Sequence, residues 1–361
     1  MFRTVGRPVV RFAFFTSTPL TPVEGSGTFV GIRELERALT KLGHLVEIRG
    51  LRVRSGFHTL DRWLYNAGLA LAPPAADLAV GFDLDGFLWA RRRRIPFVAS
   101  LKGIIADELL NERGWTRRLL SIQARWERQN VSRADRVLVT SRYCSDVVRR
   151  AYGVPSEKIA IVPELIDLAD WEARFARARR RPRERPTVLC VARMYPRKRI
   201  EDLLAAARRL RDRLPGLQVR VVGSGPEHQR LRRLGGELGL EDTVRFLGEV
   251  SRTRLAEEYV NADCFCLPSV QEGFGIVFLE AMAAGLPVVA CRAAAVPEVV
   301  ADRVAGLLVE PRNPERLAEA LEEILTDSGR RKEYGEAARR RAGEFSSPRV
   351  AEQFLEEVRR L

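Results

Sequence analysis

Apolar runs of five to eight residues recur along the chain, separated by longer segments whose apolar positions follow helical spacing. In the first half the runs are "VVRFAFF", "LVEIR", "ADLAVGF", "IPFVAS", "ADRVLVT" and "KIAIVP". In the second half they are "TVLCVA", "LQVRVVG", "TVRFLG", "ADCFCLPS", "LPVVAC" and "AGLLVE". Near-continuous apolar strands alternating with helices imply parallel sheets covered on both faces. The pattern predicts an α/β protein of two doubly wound domains. The first is expected over 1–172 and the second over 187–342. Between them, 173–186 is rich in arginine and carries two prolines, the composition of a solvated linker. The end of the chain, 343–361, predicts one amphipathic helix. Val350, Phe354 and Val358 recur every fourth residue, and Ser346, Ser347 and Pro348 supply a cap and a first-turn proline.

Length and composition narrow this picture. A chain of 361 residues, 46% hydrophobic and 30% charged, suits a soluble globular protein with two large cores. No apolar run is long enough to span a bilayer, and "MFRTVGRPVVRFAFF" lacks the apolar core and cleavage site of an export signal. The expected location is therefore cytoplasmic. Five cysteines without an export signal argue for buried thiols rather than disulfides, and no ligand set has zinc spacing. The net charge of +14 is uneven, with 26 Lys/Arg against 16 Asp/Glu in residues 1–165. That excess suits an anionic partner such as a lipid surface or nucleic acid, and genome composition or heat adaptation can account for part of it. The arginines lack a nucleic-acid-binding motif or an aromatic platform, so no nucleic acid is expected. In "RGWTRRLLSIQARWERQ", Trp115, Leu119, Ile122 and Trp126 share a helical face, with Arg117, Arg118, Arg125 and Arg128 largely elsewhere. Two readings stand: a basic amphipathic helix on a membrane, making the protein membrane-peripheral, or a core-facing stripe with solvated arginines.

In doubly wound sheets, ligands bind beyond the carboxyl ends of the strands. After the first strand, Gly25, Ser26 and Gly27 form a glycine-rich segment leading into a helix, which suits an anion. After the seventh, "ARMYPRKRIEDLL" places Arg193 and Lys198 in the connection, where they can neutralise a diphosphate. After the eighth come Gly223, Ser224 and Gly225. After the tenth, "QEGFGIVFLE" sets Glu272 and Glu280 eight residues apart, roughly 80° around an ideal helix. A loop that becomes a helix near Gly275 explains the spacing better than one helix does. Glu272 then sits in the loop, and Glu280 inside the helix.

The order and spacing of these segments, with "TVRFLGEV" and "PEVVADRVAGLLVEP", resemble the retaining glycosyltransferases of family 4, or glycosyl transferases group 1. The match covers roughly 187–330, and the first half matches more loosely. The resemblance implies the GT-B fold: two Rossmann-like domains facing each other across a cleft, the first binding an acceptor and the second a nucleotide sugar. It implies that the final helix packs back on the first domain. By position, Arg193 and Lys198 would hold the leaving diphosphate, and Glu272 would bond donor-sugar hydroxyls. Phe274, Gly275 and Ile276 would offer backbone N–H groups, Glu280 would bond the ribose, and the Gly25–Gly27 loop and Gly223 would approach the donor. The implied reaction is metal-independent, needs no cofactor, and transfers sugar from a nucleotide-diphosphate donor to an acceptor hydroxyl on a glycan, lipid or small molecule.

Three positions depart from the family pattern. Ala192 replaces the usual Gly before Arg193, "VPELID" puts Glu164 and Leu165 where Asn-Gly is usual, and Lys102 replaces the histidine of a "His-Gly" pair near the reacting centre. A lysine there stabilises phosphate charge rather than acting as a ready acid or base. Lys102 and Glu164 also motivate an alternative, a non-catalytic relative that binds sugar nucleotides or scaffolds a partner. The only Asp-x-Asp, Asp83 and Asp85 in "FDLDGF", reads as structural. A glycosidase would use two carboxylates without the diphosphate pair.

Overall fold

The computed structural model describes residues 8–18, 22–51, 55–72, 74–181 and 185–361, without the side chains of 22–26. The chain start and residues 182–184 of the expected linker lie outside the described residues. Two units result: Met1–Leu165 with Ser347–Leu361, and Ile166–Ser346.

In the first unit the strands are β1 (Arg11–Thr16), β2 (Leu45–Gly50), β3 (Leu78–Phe82), β4 (Phe97–Leu101), β5 (Arg136–Val139) and β6 (Ile159–Ile161). The helices are α1 (Pro22–Lys41), α2 (His58–Leu71), α3 (Ile105–Glu108), α4 (Gly114–Arg133) and α5 (Arg142–Tyr152). All strand pairings are parallel, in the order β2-β1-β3-β4-β5-β6. Alternation along β1 divides the core between two faces. Phe12 and Phe14 meet Ile32, Leu35 and Leu39 of α1, whereas Ala13 and Phe15 join Leu69 of α2, Val131 of α4 and Val148 of α5.

The second unit contains α6 (Leu168–Arg177), β7 (Thr187–Val191), α7 (Ile200–Leu210), β8 (Gln218–Val222), α8 (His228–Glu237), β9 (Val244–Gly248) and α9 (Arg252–Val260). There follow β10 (Cys264–Leu267), α10 (Ile276–Ala283), β11 (Val288–Cys291), α11 (Val296–Val299), β12 (Gly306–Val309), α12 (Pro314–Thr326) and α13 (Ser328–Gly343). The parallel order is β12-β11-β10-β7-β8-β9, the doubly wound arrangement in which strand order reverses between β7 and β10. The last helix, α14 (Ser347–Val358), returns to the first unit, where Val350, Phe354 and Leu355 enter the β1–α1 core and Phe354 lies 5.8 Å from Phe12.

All twelve apolar runs are strands. Two local expectations are corrected. The Gly25–Gly27 segment is not a loop, because α1 already begins at Pro22. A proline at the first position is preorganised for a helix, and that start precedes the glycines. The stretch 173–177, expected as linker, is the end of α6. Trp171 and Phe175, four residues apart, bury one face against Tyr259, and Asp167 caps the start by accepting from Asp170 N. All five cysteines are buried and free. Burial pushes the Cys190 and Cys291 thiols up to about 12, so they are inert packing groups.

Candidate active site

The strand reversal in the second unit leaves a crevice beyond the carboxyl ends of β7 and β10, because the following helices α7 and α10 depart to opposite faces. Both connections carry candidate groups. After β7, Pro196 opens a single 3-10 turn, Pro196–Lys198. Arg199 ends it at a left-handed φ of 52°. That conformation costs a non-glycine residue about 1–2 kcal/mol. The forked pairing of Arg199 with Asp202, at 2.7 and 3.0 Å, offsets the cost and locks the turn. The turn directs Lys198 toward the loop after β10, which is tied back by Val270 N donating to Arg197 O at 3.0 Å.

The result is one ion pair. Lys198 Nζ lies 2.6 Å from Glu272 Oε1, with both side chains largely buried. Ser269 Oγ donates to the same carboxylate oxygen at 2.7 Å. Arg193 is half-buried at the start of the same connection, its guanidinium 5.8 Å from the Tyr195 ring. Two residues after Glu272, Phe274 is buried edge-on against Phe345 at 5.3 Å. Gly275 then takes a φ of 90°, which only glycine adopts freely, and starts α10 at Ile276. A Cβ on Gly275 would stand 2.6 Å from the Phe278 ring. Glu280 is buried in α10 and accepts from Tyr259 Oη at 2.8 Å. Burial, then the Glu280 carboxylate, holds the Tyr259 phenol well above its usual range. Glu272 and Glu280 thus occupy a loop and a helix, in two separate polar settings. Gly223 has φ 114°, and a Cβ there would stand 2.1 Å from Ala192 O. Packing of the β8 turn on the β7 connection already demands that glycine.

In the first unit, Lys102 follows β4 and Glu164 follows β6. They form a second ion pair, Nζ to Oε2, at 3.0 Å, with each side chain only 6% exposed. Gly31 of α1 makes room for it, since a Cβ there would stand 2.4 Å from Glu164 Oε2. The backbone N–H of Lys102 donates to Asp83 Oδ1 at 2.9 Å. Asp83 and Asp85 are buried in the turn after β3. Asp85 accepts from Ser17 N at 2.5 Å and from Asn66 Nδ2 at 2.9 Å. Burial pushes Asp83 up to about 6 against the opposing pull of Arg62, and Asp85 is raised for the same reason. Burial, then Asp83, raises Glu127, which accepts from Tyr152 Oη and from Ile105 N.

The structure therefore joins Lys198 to Glu272 and Lys102 to Glu164. It places Gly25, Ser26 and Gly27 in the first turns of α1. Sequence reasoning missed Ser269 and Tyr259, the hydrogen-bond partners of the two glutamates. Ser269 ends the quoted run "ADCFCLPS", two residues before the glutamate loop, but nothing in the sequence separates Tyr259 from an ordinary core aromatic.

Comparison with known proteins places this geometry. The family model for glycosyl transferases group 1 matches residues 172–341, and that for glycosyltransferase family 4 matches 25–170. The chain is 34% identical over 264 residues to the GDP-mannose-dependent alpha-(1-6)-phosphatidylinositol monomannoside mannosyltransferase of Mycobacterium tuberculosis, covering 70% of this chain and 67% of that protein. It is 36% identical over 242 residues to the D-inositol 3-phosphate glycosyltransferase of Kribbella flavida, covering 63% of this chain and 57% of the relative. Among solved structures, sucrose-phosphate synthase from Thermosynechococcus elongatus superposes with a TM-score of 0.83 at 23% identity, over 97% of this chain and 98% of that one. Anabaena HepE in complex with UDP and glucose gives 0.77 at 19% identity, over 98% and 100%. These likenesses show the GT-B fold.

Proposed function

The chain belongs to the glycosyl transferases group 1, and from that premise we propose that it transfers a sugar, with retention and without a metal, from a nucleoside-diphosphate sugar to an acceptor hydroxyl. The observation that carries the reading is the Lys198–Glu272 pair at the strand reversal. In the resting protein the ammonium and carboxylate satisfy each other. A donor entering the crevice offers each a better partner: the diphosphate takes Lys198 and Arg193, and sugar hydroxyls take Glu272. Backbone N–H groups of Phe274, Gly275 and Ile276 lie at the start of α10, where the helix favours an anion. Glu280, held by Tyr259, bonds the ribose.

The bond from the anomeric carbon to the diphosphate oxygen breaks as the acceptor oxygen bonds on the same face. The acceptor proton passes to the departing phosphate, whose charge Arg193 and Lys198 stabilise. No separate general base is needed, which accords with a lysine rather than a histidine at position 102. Lys102 stands in the acceptor-binding first unit with its charge paired to Glu164 at 3.0 Å. The named relatives act on inositol phosphates and phosphatidylinositol mannosides, which supports a phosphate-bearing polyol as the acceptor.

The test is turnover of a panel of nucleoside-diphosphate sugars with such acceptors. Lys198→Ala and Glu272→Ala are each expected to lower kcat by roughly 100-fold or more, while melting remains cooperative. Proton NMR of the product should show the donor's anomeric configuration, and a chelator should leave the rate unchanged. Donor binding without turnover on any acceptor would sink the proposal in favour of a non-catalytic relative.

A further inference from the structure

Helix α2 buries two polar residues beside Leu69 and turns an apolar stripe outward. Two of its three buried residues are Asp61 and Asn66. Asp61 accepts from Ser55 N and Oγ at 2.8 and 2.6 Å, and Asn66 bonds Asp85 and Gly86 N. Its outward stripe comprises Leu60, Trp63 and Leu64, at i, i+3 and i+4, with Phe57 just before the helix 74% exposed.

A second exposed apolar stripe adjoins it. Helix α4 begins with Trp115, 69% exposed, and shows Ile122 two turns later, while Leu110 just before it is 64% exposed. The sequence left open whether the Trp115–Leu119–Ile122–Trp126 face was core or interface, and the structure divides it. Trp126 stacks on Phe87 at 5.5 Å, whereas Trp115 and Ile122 face outward. The two helices meet at a polar seam: Arg62 Nη1 donates to Gln123 Oε1 at 2.9 Å, and Gln123 Nε2 donates to Thr59 Oγ1 at 2.8 Å. Leu60 and Trp63 adjoin that seam on one side and Ile122 on the other. Arg113, Arg117 and Arg118 are exposed beside Trp115 and form no salt bridge among the described residues.

We propose that this face docks on an anionic lipid surface. Tryptophan and leucine side chains enter the interfacial layer, and the unpaired arginines meet acidic headgroups. Charge decides against a second copy of the chain, since a chain of net charge +14 would set arginine against arginine. The inference goes beyond the transfer reaction and does not depend on turnover.

The test is co-sedimentation of the full chain with phosphatidylglycerol-rich vesicles and with pure phosphatidylcholine vesicles, at low and high salt. Binding is expected only to the anionic vesicles at low salt. Arg117→Gln with Arg118→Gln should weaken it about fivefold per arginine. Trp63→Ser with Trp115→Ser should abolish it. Arg232→Gln with Arg233→Gln, exposed on α8 of the second unit, should leave it unchanged. The proposal is overturned if anionic vesicles fail to bind, if the Arg232/Arg233 variant loses as much as the Arg117/Arg118 variant, or if Trp63→Ser with Trp115→Ser instead dissolves a dimer of the free protein.

Discussion

Glu164→Gln removes one charge from the Lys102–Glu164 pair and keeps the shape of the side chain. It strands the Lys102 ammonium, whose side chain is 6% exposed, with no carboxylate at 3.0 Å. Removing one partner of a buried ion pair costs about 3–5 kcal/mol, because the remaining charge stays desolvated. For a domain of this size each kcal/mol shifts Tm by about 2–4 °C, so a fall of roughly 10 °C is expected. Lys102→Met should cost a similar amount by stranding the carboxylate. The double variant removes both charges and should recover about 1–3 kcal/mol relative to the sum of the singles. Gly31→Ala gives a geometric check, since its Cβ would stand 2.4 Å from Glu164 Oε2 and push the carboxylate away from the ammonium. Urea denaturation of the four chains supplies the cycle. Strictly additive singles, or a Glu164→Gln variant as stable as the parent, would show that the two family departures do not compensate each other.

Gly275→Ala and Gly223→Ala should each cost about 1–3 kcal/mol of strain. Each forces alanine into φ near 90° or 114°, and Gly223 also meets a backbone oxygen at 2.1 Å; denaturant midpoints would measure both. Asp83, pushed up to about 6, keeps its proton in the folded chain after the unfolded chain has released it. Its contribution is fully present below the ordinary aspartate range and is lost as the pH rises through about 6. Asp83→Asn tolerates the left-handed φ of 54° and still accepts from Lys102 N–H. The stability of parent minus variant should therefore decline between about pH 4 and pH 6, and a flat difference would exclude a buried acid at this site.

The strands were legible because burial on both faces of a parallel sheet leaves little room for polar residues, so β1 to β12 read as apolar runs. The change from loop to helix between Glu272 and Glu280 was legible because eight residues do not return to one helical face and Gly275 can begin a turn. The start of α1 at Pro22 was misread, since glycines weaken a helix without forbidding one, and so was α6, whose arginines masked the spacing of Trp171 and Phe175. Which charges meet was beyond the sequence. Lys198 and Glu272 are separated by 74 positions, and Lys102 and Glu164 by 62. Only the parallel strand order brings each pair's two connections to the carboxyl end of its own sheet. The outward apolar stripe of α2 was also hidden, because helical periodicity marks an apolar face without saying which way it points. Direction is set by what the opposite face binds, and here Asp61 and Asn66 find buried hydrogen bonds that turn Leu60, Trp63 and Leu64 to the surface.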